Sequence, residues 1–551
     1  MRKRNLESPM KTLAANSLLF ASCLPDTIRW RLATRRVAKT QGRLLLRIVR
    51  ENAATAFGQE HGFFSIQTIA DYQARVPARD YAGFEPYIDR CAAGEAKVLT
   101  AQAVKSFALS SGSTSASKLI PYTPALLSEF QRSIAPWLVG IFLQAPGILA
   151  GKSYWQISPD ATPTFHTPSG IPIGFGEDTD YFGPRRAALV RATLAVRESI
   201  SATQMEEFHF ESLRQLLACR NLRFISVWNP SFLTLLLADL MRLASPLLER
   251  LGQDGLEARA LELKAIFRSY PSGDLFFVDA AGRTLPEAIW PELRLISCWT
   301  DAEARDAASR LRALFPRVAL QPKGLIATEG LMSFPWHAAG NSLAITSHFF
   351  EFAEPDSERG QAPLKLAHEL EIGRQYSILL TTSGGFYRYR IGDVVEVVGH
   401  IGQCPLLAFK GKEDGVVDLV GEKLNALHVA RAAQEVFANF AVNPRFWMLA
   451  PGRSQTPPCY VLYLQSDFPV PQGTLTAFDA ALEENFHYAY ARRLGQLGPL
   501  QLFLIDPESD PEADYLTACA ARGQRMGDIK RHCLDRWGGW SSVFRCRKDR
   551  L

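Results

Sequence analysis

"LSSGSTSASKLIPYT", residues 109–123, is the stretch on which the reading of this chain turns. Hydroxyl side chains crowd a single glycine, Lys118 follows, and apolar residues bound the run on both sides. The preceding "VKSFALS" reads as a strand and the following "KLIPY" as a second short one. Thr123-Pro124 then opens a helix, with threonine as N-cap and proline in the first helical position. Leu126, Leu127, Phe130, Ile134, Trp137, Leu138 and Ile141 follow at helical spacing. A phosphate needs several N–H and O–H donors converging without bulk in the way, and a glycine-centred loop after a strand offers such a nest. Ser110, Ser111, Gly112, Ser113, Thr114 and Ser115 suit that task, with Lys118 adding charge. A plain polar turn on a hairpin fits the same composition, since one glycine is a weak signal.

The loop is not a Walker A motif, which has two glycines ahead of Gly-Lys-Ser/Thr and opens directly into a helix. "PGILAGKS", residues 146–153, comes within one residue of that spacing but leads into the strand-like "YWQIS". It is set aside as a nucleotide site.

Two further stretches bear on the question. "GLIATEGLMSFP" places Thr328 and Glu329 at the end of an apolar run, where strand termini often carry functional carboxylates, although a lone glutamate there also suits a solvated loop. "GGFYRYRIGDVVEVVGH" sets Asp393 in a tight Gly-Asp corner between strands, after two arginines at alternate positions, Arg388 and Arg390. Such an aspartate serves either as a turn residue or as a bidentate acceptor for two ribose hydroxyls.

Bulk properties narrow the classes. At 551 residues the chain is too long for one core, and 47% hydrophobic with 21% charged residues is ordinary for a globular protein. A net charge of +5 without a basic run interleaved with aromatics gives no support to a nucleic-acid binder. Nine scattered cysteines, never spaced CxxC, suit a reducing, cytoplasmic setting and argue against a disulfide framework or zinc site. The ten histidines show no paired metal spacing. The N-terminal "MRKRNLESPMKTLAANSLLFASCL" faintly suggests a leader, but Glu7 and Asn16 interrupt it, and Leu13, Leu18, Leu19 and Leu24 fit one helical face. No run of apolar residues is long enough for a membrane span, so no membrane partner is expected.

The first hundred residues read as helical, and "ELRLISCW" and "VALQPKGLIA" as buried strands. "QYSILLTTSGGFYRYRIGDVVEVVGH" reads as two or three strands. After "GKEDG" the texture changes to a β-α-β-β-α-β order, that of a small split-βαβ domain: "GVVDLV", "LHVARAAQEVFANF", "RFWMLA", "CYVLYLQ", "AFDAALEENFHYAYARRL" and "LQLFLI". The expected organisation is a large α/β domain over residues 1–408 and a small α+β domain over 409–551.

Taken together and in order, "SSGSTSASK", "IATEG" and "YRYRIGDVV" resemble the three motifs of the acyl-acid amido synthetases of the auxin-responsive promoter family, within the acyl-adenylate-forming superfamily. The flanks "VPARDYAGFEPYIDRCAAGE" and "WPELRLISCW" look like the same family. The resemblance implies an ATP- and Mg²⁺-dependent ligase that activates a carboxylic acid as acyl-AMP and passes it to an amine such as an amino acid. It implies that Ser110 to Ser115 hold the ATP phosphates near Lys118, that Thr328 contacts nucleotide or acyl phosphate, that Glu329 helps hold Mg²⁺, and that Asp393, with Arg390 nearby, binds the nucleotide through its ribose. "GKEDG", with Lys412 and Asp414, looks like the hinge of a mobile small domain, and Lys530 sits where these enzymes often keep a C-terminal active-site lysine. Ala116 stands where the family usually has a second glycine, and Leu325 where plant members usually have an adenine-stacking tyrosine.

An acyl pocket is expected among the large domain's strands and helices, with Trp228, Phe232 and Leu236 as candidate lining; plain core is the competing reading of each. Two other functions stay open at this level. One is a thioester-forming acyl-CoA ligase, and the other is a non-catalytic ligand-binding relative.

Overall fold

The computed structural model describes residues 9–110, 118–156, 165–174, 181–196, 200, 205–270, 274–301, 304–354, 364–413, 415–417, 419–420, 422, 424–452, 457–522, 524 and 529–547. The phosphate-nest candidates Ser111, Gly112, Ser113, Thr114 and Ser115, and the hinge candidate Asp414, therefore lie outside the described residues. The chain divides into two compact units, Met1–Ile391 with Val395–Phe409, and Gly392–Val394 with Lys410–Leu551.

The large unit is α/β. Its Ser106–Ser110 and Lys118–Tyr122 strands pair antiparallel, with Ser110 opposite Lys118. The helix Pro124–Gln144 begins where Thr123 accepts the Leu126 N–H at 3.1 Å. Four strands, Lys152–Trp155, Leu222–Ser226, Leu295–Cys298 and Ala319–Pro322, form a parallel sheet in chain order. Helices cross between them, as parallel pairing requires. A seven-stranded sheet includes Gln375–Thr381, Tyr389–Ile401 and Cys404–Lys412.

The helix Pro9–Ala33 buries only part of the leucine pattern, Leu19 in the core and Leu24 against it. Leu13 and Leu18 are exposed, while Ala15, Leu19, Cys23, Trp30 and Ala33 are buried on an i, i+4 stripe. Asn16 lies on that buried stripe, and its Nδ2 donates to the carbonyls of Ile148, Leu149 and Gly151 at 3.0–3.3 Å. The amide thus adds hydrogen bonds to the apolar packing on that face. Among the described residues no single helix is long and apolar enough to cross a membrane.

The small unit is α+β and departs from the split-βαβ order. Phe446–Pro451, Tyr460–Gln465 and Gln501–Leu504 make a three-stranded sheet. The "GVVDLV" segment contributes only Val416–Val417, paired with Leu424–Asn425 in a separate ladder. The single long helix expected over "AFDAALEENFHYAYARRL" is two, Thr474–Leu482 and Phe486–Arg493, because Asn485 caps the second by accepting from His487 and Tyr488 N–H groups. A further helix, Pro511–Ala521, starts at Asp510 and carries Tyr515, whose ring stacks on Trp540 at 4.7 Å.

Asn16→Leu should lower stability by about 1–3 kcal/mol, because it removes the amide's hydrogen bonds to three carbonyls from a buried position. Leu18→Ala, on the exposed side of the same helix, should stay within about 0.5 kcal/mol. Urea midpoints of the two variants measure the difference, and equal midpoints would refute the anchoring role of Asn16.

Candidate active site

Ile326–Ala327 and Gly330–Leu331 pair antiparallel, so Thr328 and Glu329 form the two-residue turn of a minimal hairpin. Three buried groups fix that turn. The Tyr122 hydroxyl donates to the Thr328 carbonyl at 2.5 Å, and the Tyr389 hydroxyl donates to Glu329 Oε1 at 3.2 Å. The Leu331 N–H donates to His348 Nε2 at 3.1 Å. A backbone N–H can only donate, so Nε2 is the acceptor nitrogen and Nδ1 carries the proton. That proton points at Glu129 Oε2, 3.0 Å away, and the same carboxylate accepts from Ser383 N at 3.0 Å and Ser383 Oγ at 2.6 Å. Glu129, His348 and Ser383 are all buried, and Glu329 is only 5% exposed.

The phenols around this turn are held as donors. Burial first, then Tyr181 and the negative charge of Glu329, push the Tyr122 hydroxyl well above its ordinary range. Burial also raises Tyr81, with Glu85, Asp89 and Glu329 adding to the shift. Tyr81 in turn fixes the exit of the serine loop: its hydroxyl accepts the Leu119 N–H at 2.8 Å, and Lys118 Nζ lies 5.5 Å from its ring centroid. Ser110 ends the strand that enters the loop. Leu325 is half-buried, its N–H donating to Ser333 Oγ at 2.9 Å.

Of the two arginines, Arg388 is committed to structure, paired with buried Glu351 at 2.9 Å and donating to the Val76 carbonyl. Arg390 is half-buried, and its N–H donates to the Arg79 carbonyl at 2.8 Å.

In the small unit, Asp393 does not occupy a corner between strands. Gly392 and Asp393 lie inside the strand Tyr389–Ile401, where Gly392 takes φ +77°, a kink that only glycine adopts at no steric cost. Its carbonyl accepts the Glu413 N–H at 2.7 Å. Lys412 Nζ lies 2.8 Å from Asp393 Oδ1, so the ribose and hinge candidates form one ion pair. The Asp393 side chain is 4% exposed and that of Lys412 38%. Lys530 is exposed on the small unit, its carbonyl accepting from Tyr515 at 3.2 Å.

The three pocket candidates are not gathered in one place. Leu236 is core, packed with Leu233, Leu237 and Leu240. Phe232 packs against that same core, beside Phe208. Trp228 stands apart, half-buried, 5.8 Å from the Trp299 ring and over the ammonium of Lys323. Sequence reasoning missed Tyr81, Tyr122, Tyr389, Glu129 and His348. The three tyrosines lie inside or beside the quoted motifs, whereas Glu129 and His348 join the site only through long-range contacts.

Three family models match the chain in order: the GH3 family N-terminal domain over residues 28–320, the central domain over 342–412 and the C-terminal domain over 425–537. A probable indole-3-acetic acid-amido synthetase of Oryza sativa subsp. japonica is 24% identical over 567 aligned positions, covering 90% of this chain and 91% of its own length. A jasmonoyl–L-amino acid synthetase of Nicotiana attenuata is 21% identical over 510 positions, covering 86% and 87%. A solved acyl acid amido synthetase in complex with 2,4-DB superposes with a TM-score of 0.76 at 18% identity, covering 97% of this chain and 96% of its own, which shows a shared fold. The first family model alone covers more than half of the chain: the protein belongs to the GH3 family of acid–amido ligases.

Proposed function

We propose that this ligase activates a carboxylic acid with ATP and Mg²⁺ as acyl-AMP and transfers the acyl group to the amine of an amino acid. The observation that carries the reading is the Thr328-Glu329 turn with its buried glutamate, held by Tyr122, Tyr389 and His348 beside the strand that leaves the serine loop. A carboxylate oxygen attacks the α-phosphorus and pyrophosphate departs. The amine then attacks the acyl carbon, releasing AMP and a proton. The protein's work in such a reaction is positioning and neutralising charge.

Each residue has a place in that reading. Lys118 offsets phosphate charge at the end of the loop formed by Ser110 to Ser115, and Thr328 hydrogen-bonds the nucleotide phosphate. Mg²⁺ takes one or two protein carboxylates and keeps several waters, so the single Glu329 fits it, and the bound ion would supply charge neutralisation on the polyphosphate. Asp393 accepts the ribose hydroxyls once its half-exposed partner Lys412 shares or leaves it. Arg390, on the same strand, would add positive charge near the nucleotide. The small domain, residues 409–551, turns about Gly411–Gly415 between half-reactions, and Lys530 is the lysine it brings to the first of them. Nine free cysteines suit the reducing cytoplasm, where we place the enzyme.

Glu329→Ala should lower acid-dependent pyrophosphate release by at least about 100-fold, roughly 3 kcal/mol of lost electrostatic stabilisation, with an unchanged circular dichroism spectrum. Unchanged release from a folded variant would remove Glu329 from the mechanism. Asp393→Ala should weaken ATP binding much more than acid binding in calorimetric titrations; equal losses would count against the ribose role.

A further inference from the structure

The parallel sheet carries a polar row across one face. Trp155, Ser226, Ser297 and Gln321 are direct cross-strand partners. Side chains alternate along a strand, so the residues two further on, Trp228, Trp299 and Lys323, face the same side at the carboxyl ends of their strands. Backbone bonds continue the ladder to that level, from Trp299 N to the Trp228 carbonyl at 2.9 Å and from Lys323 N to the Cys298 carbonyl at 2.8 Å. Gln321 is satisfied, accepting from Trp137 Nε1 at 3.1 Å and donating to Gln144 at 2.7 Å. Ser226 and Ser297, 1% and 0% exposed, have hydroxyls without a hydrogen-bond partner among the described residues.

Lys323 is the anomaly. It is buried, its Nζ donates to the Val227 carbonyl at 2.8 Å, and it sits 4.1 Å from the Trp228 ring centroid and 5.7 Å from that of Trp137. No carboxylate pairs with it among the described residues. Burial holds its pKa down to about 7, and the one titratable neighbour, Cys298, is itself pushed up to about 12 by burial and so stays neutral. The other groups facing it, Trp137 from the helix Pro124–Gln144 and Trp228 from its own sheet, carry no charge. A buried ammonium without a counter-ion, on the same sheet face as two unpaired hydroxyls, is expensive unless something completes it. The carboxyl end of a parallel sheet is where a ligand reaches an α/β fold, and half-buried Trp228 is the cover it would displace.

We infer that Lys323, with the Ser226 and Ser297 hydroxyls, is an anion seat that selects acid substrates bearing a second carboxylate, remote from the one that is activated. This rests on the acid-activating function proposed above. The activated carboxylate is a poor candidate for the seat, because pairing it with an ammonium would withdraw the electron density it needs as a nucleophile. Trp228 and Trp137 offer flat walls for the carbon skeleton between the two carboxylates.

The test uses the full chain and matched probes, benzoate against isophthalate and terephthalate, and hexanoate against adipate. Binding is read by tryptophan fluorescence without ATP, and turnover by pyrophosphate release with ATP and Mg²⁺. The parent should favour at least one dicarboxylate over its matched monocarboxylate by at least tenfold in kcat/KM. Lys323→Met should collapse that ratio to about one through KM, and Ser297→Ala should reduce it partway. Dicarboxylate binding to the parent should weaken progressively above pH ~7, as the ammonium loses its proton, while Lys323→Met should show no such pH dependence. Dicarboxylate binding that depends on Lys323, with no acid triggering pyrophosphate release, would uphold the seat and sink the ligase reading. Release with monocarboxylates, and a ratio near one in parent and variant alike, would overturn the seat and leave the ligase standing.

Discussion

A carboxylate taken out of water is tolerated only where donors surround it, and the Glu129 side chain meets that condition by drawing three distant segments together. It accepts the N–H and hydroxyl of Ser383 and the Nδ1 proton of His348, whose other nitrogen accepts the Leu331 N–H. Leu331 lies two residues past Glu329, so satisfying Glu129 also sets the height and direction of the turn. The N-cap threonine of the same helix adds a tie, Thr123 Oγ1 donating to the Ser383 carbonyl at 2.9 Å. Helix start, glycine turn and hairpin are one hydrogen-bonded assembly, and the tyrosines around Glu329 aim their hydroxyls into the frame it provides. Loss of any member would leave a buried polar group unpaired, which makes the assembly an all-or-none arrangement.

What could be read in the chain beforehand follows a physical divide. Local chemistry was legible: the strand pair around the serine loop, the Thr123-Pro124 helix start and the parallel-sheet strands within "ELRLISCW" and "VALQPKGLIA" appear where propensity and capping placed them, whereas the Leu222–Ser226 strand of the same sheet was not read. The helix through Asn485 broke because a local cap competed with a continuous apolar pattern. The first helix left Leu13 and Leu18 exposed because its buried face is set by non-local partners, the core around Cys23 and Trp30 and the carbonyls that Asn16 meets far along the chain. Non-local partnerships carry no sequence period, so Glu129 and His348, 219 residues apart, gave no signal. Lys323 was hidden in the same way, inside "VALQPKGLIA", where the apolar run drew attention and the one charge did not.

The three ordered motifs pointed to function because, in the proposed reaction, each would supply a different necessity of the same chemistry. A donor-rich loop, a buried carboxylate at a turn and a second carboxylate inside a kinked strand have little reason to recur together in one chain otherwise. The pairing of Asp393 with Lys412 adds a coupling that neither motif implies alone. The kink at Gly392 and the segment that follows Phe409 meet through this ion pair and through the Glu413 N–H.

The central claim is the acyl-adenylate, and oxygen tracing tests it most directly. An acid labelled with ¹⁸O in both carboxylate oxygens is turned over with ATP, Mg²⁺ and mixed amino acids, and the products are weighed by mass spectrometry. Attack on the α-phosphorus predicts one ¹⁸O in AMP and one in the amide. Label in inorganic phosphate alongside ADP, or unlabelled AMP accompanying amide, would contradict the account.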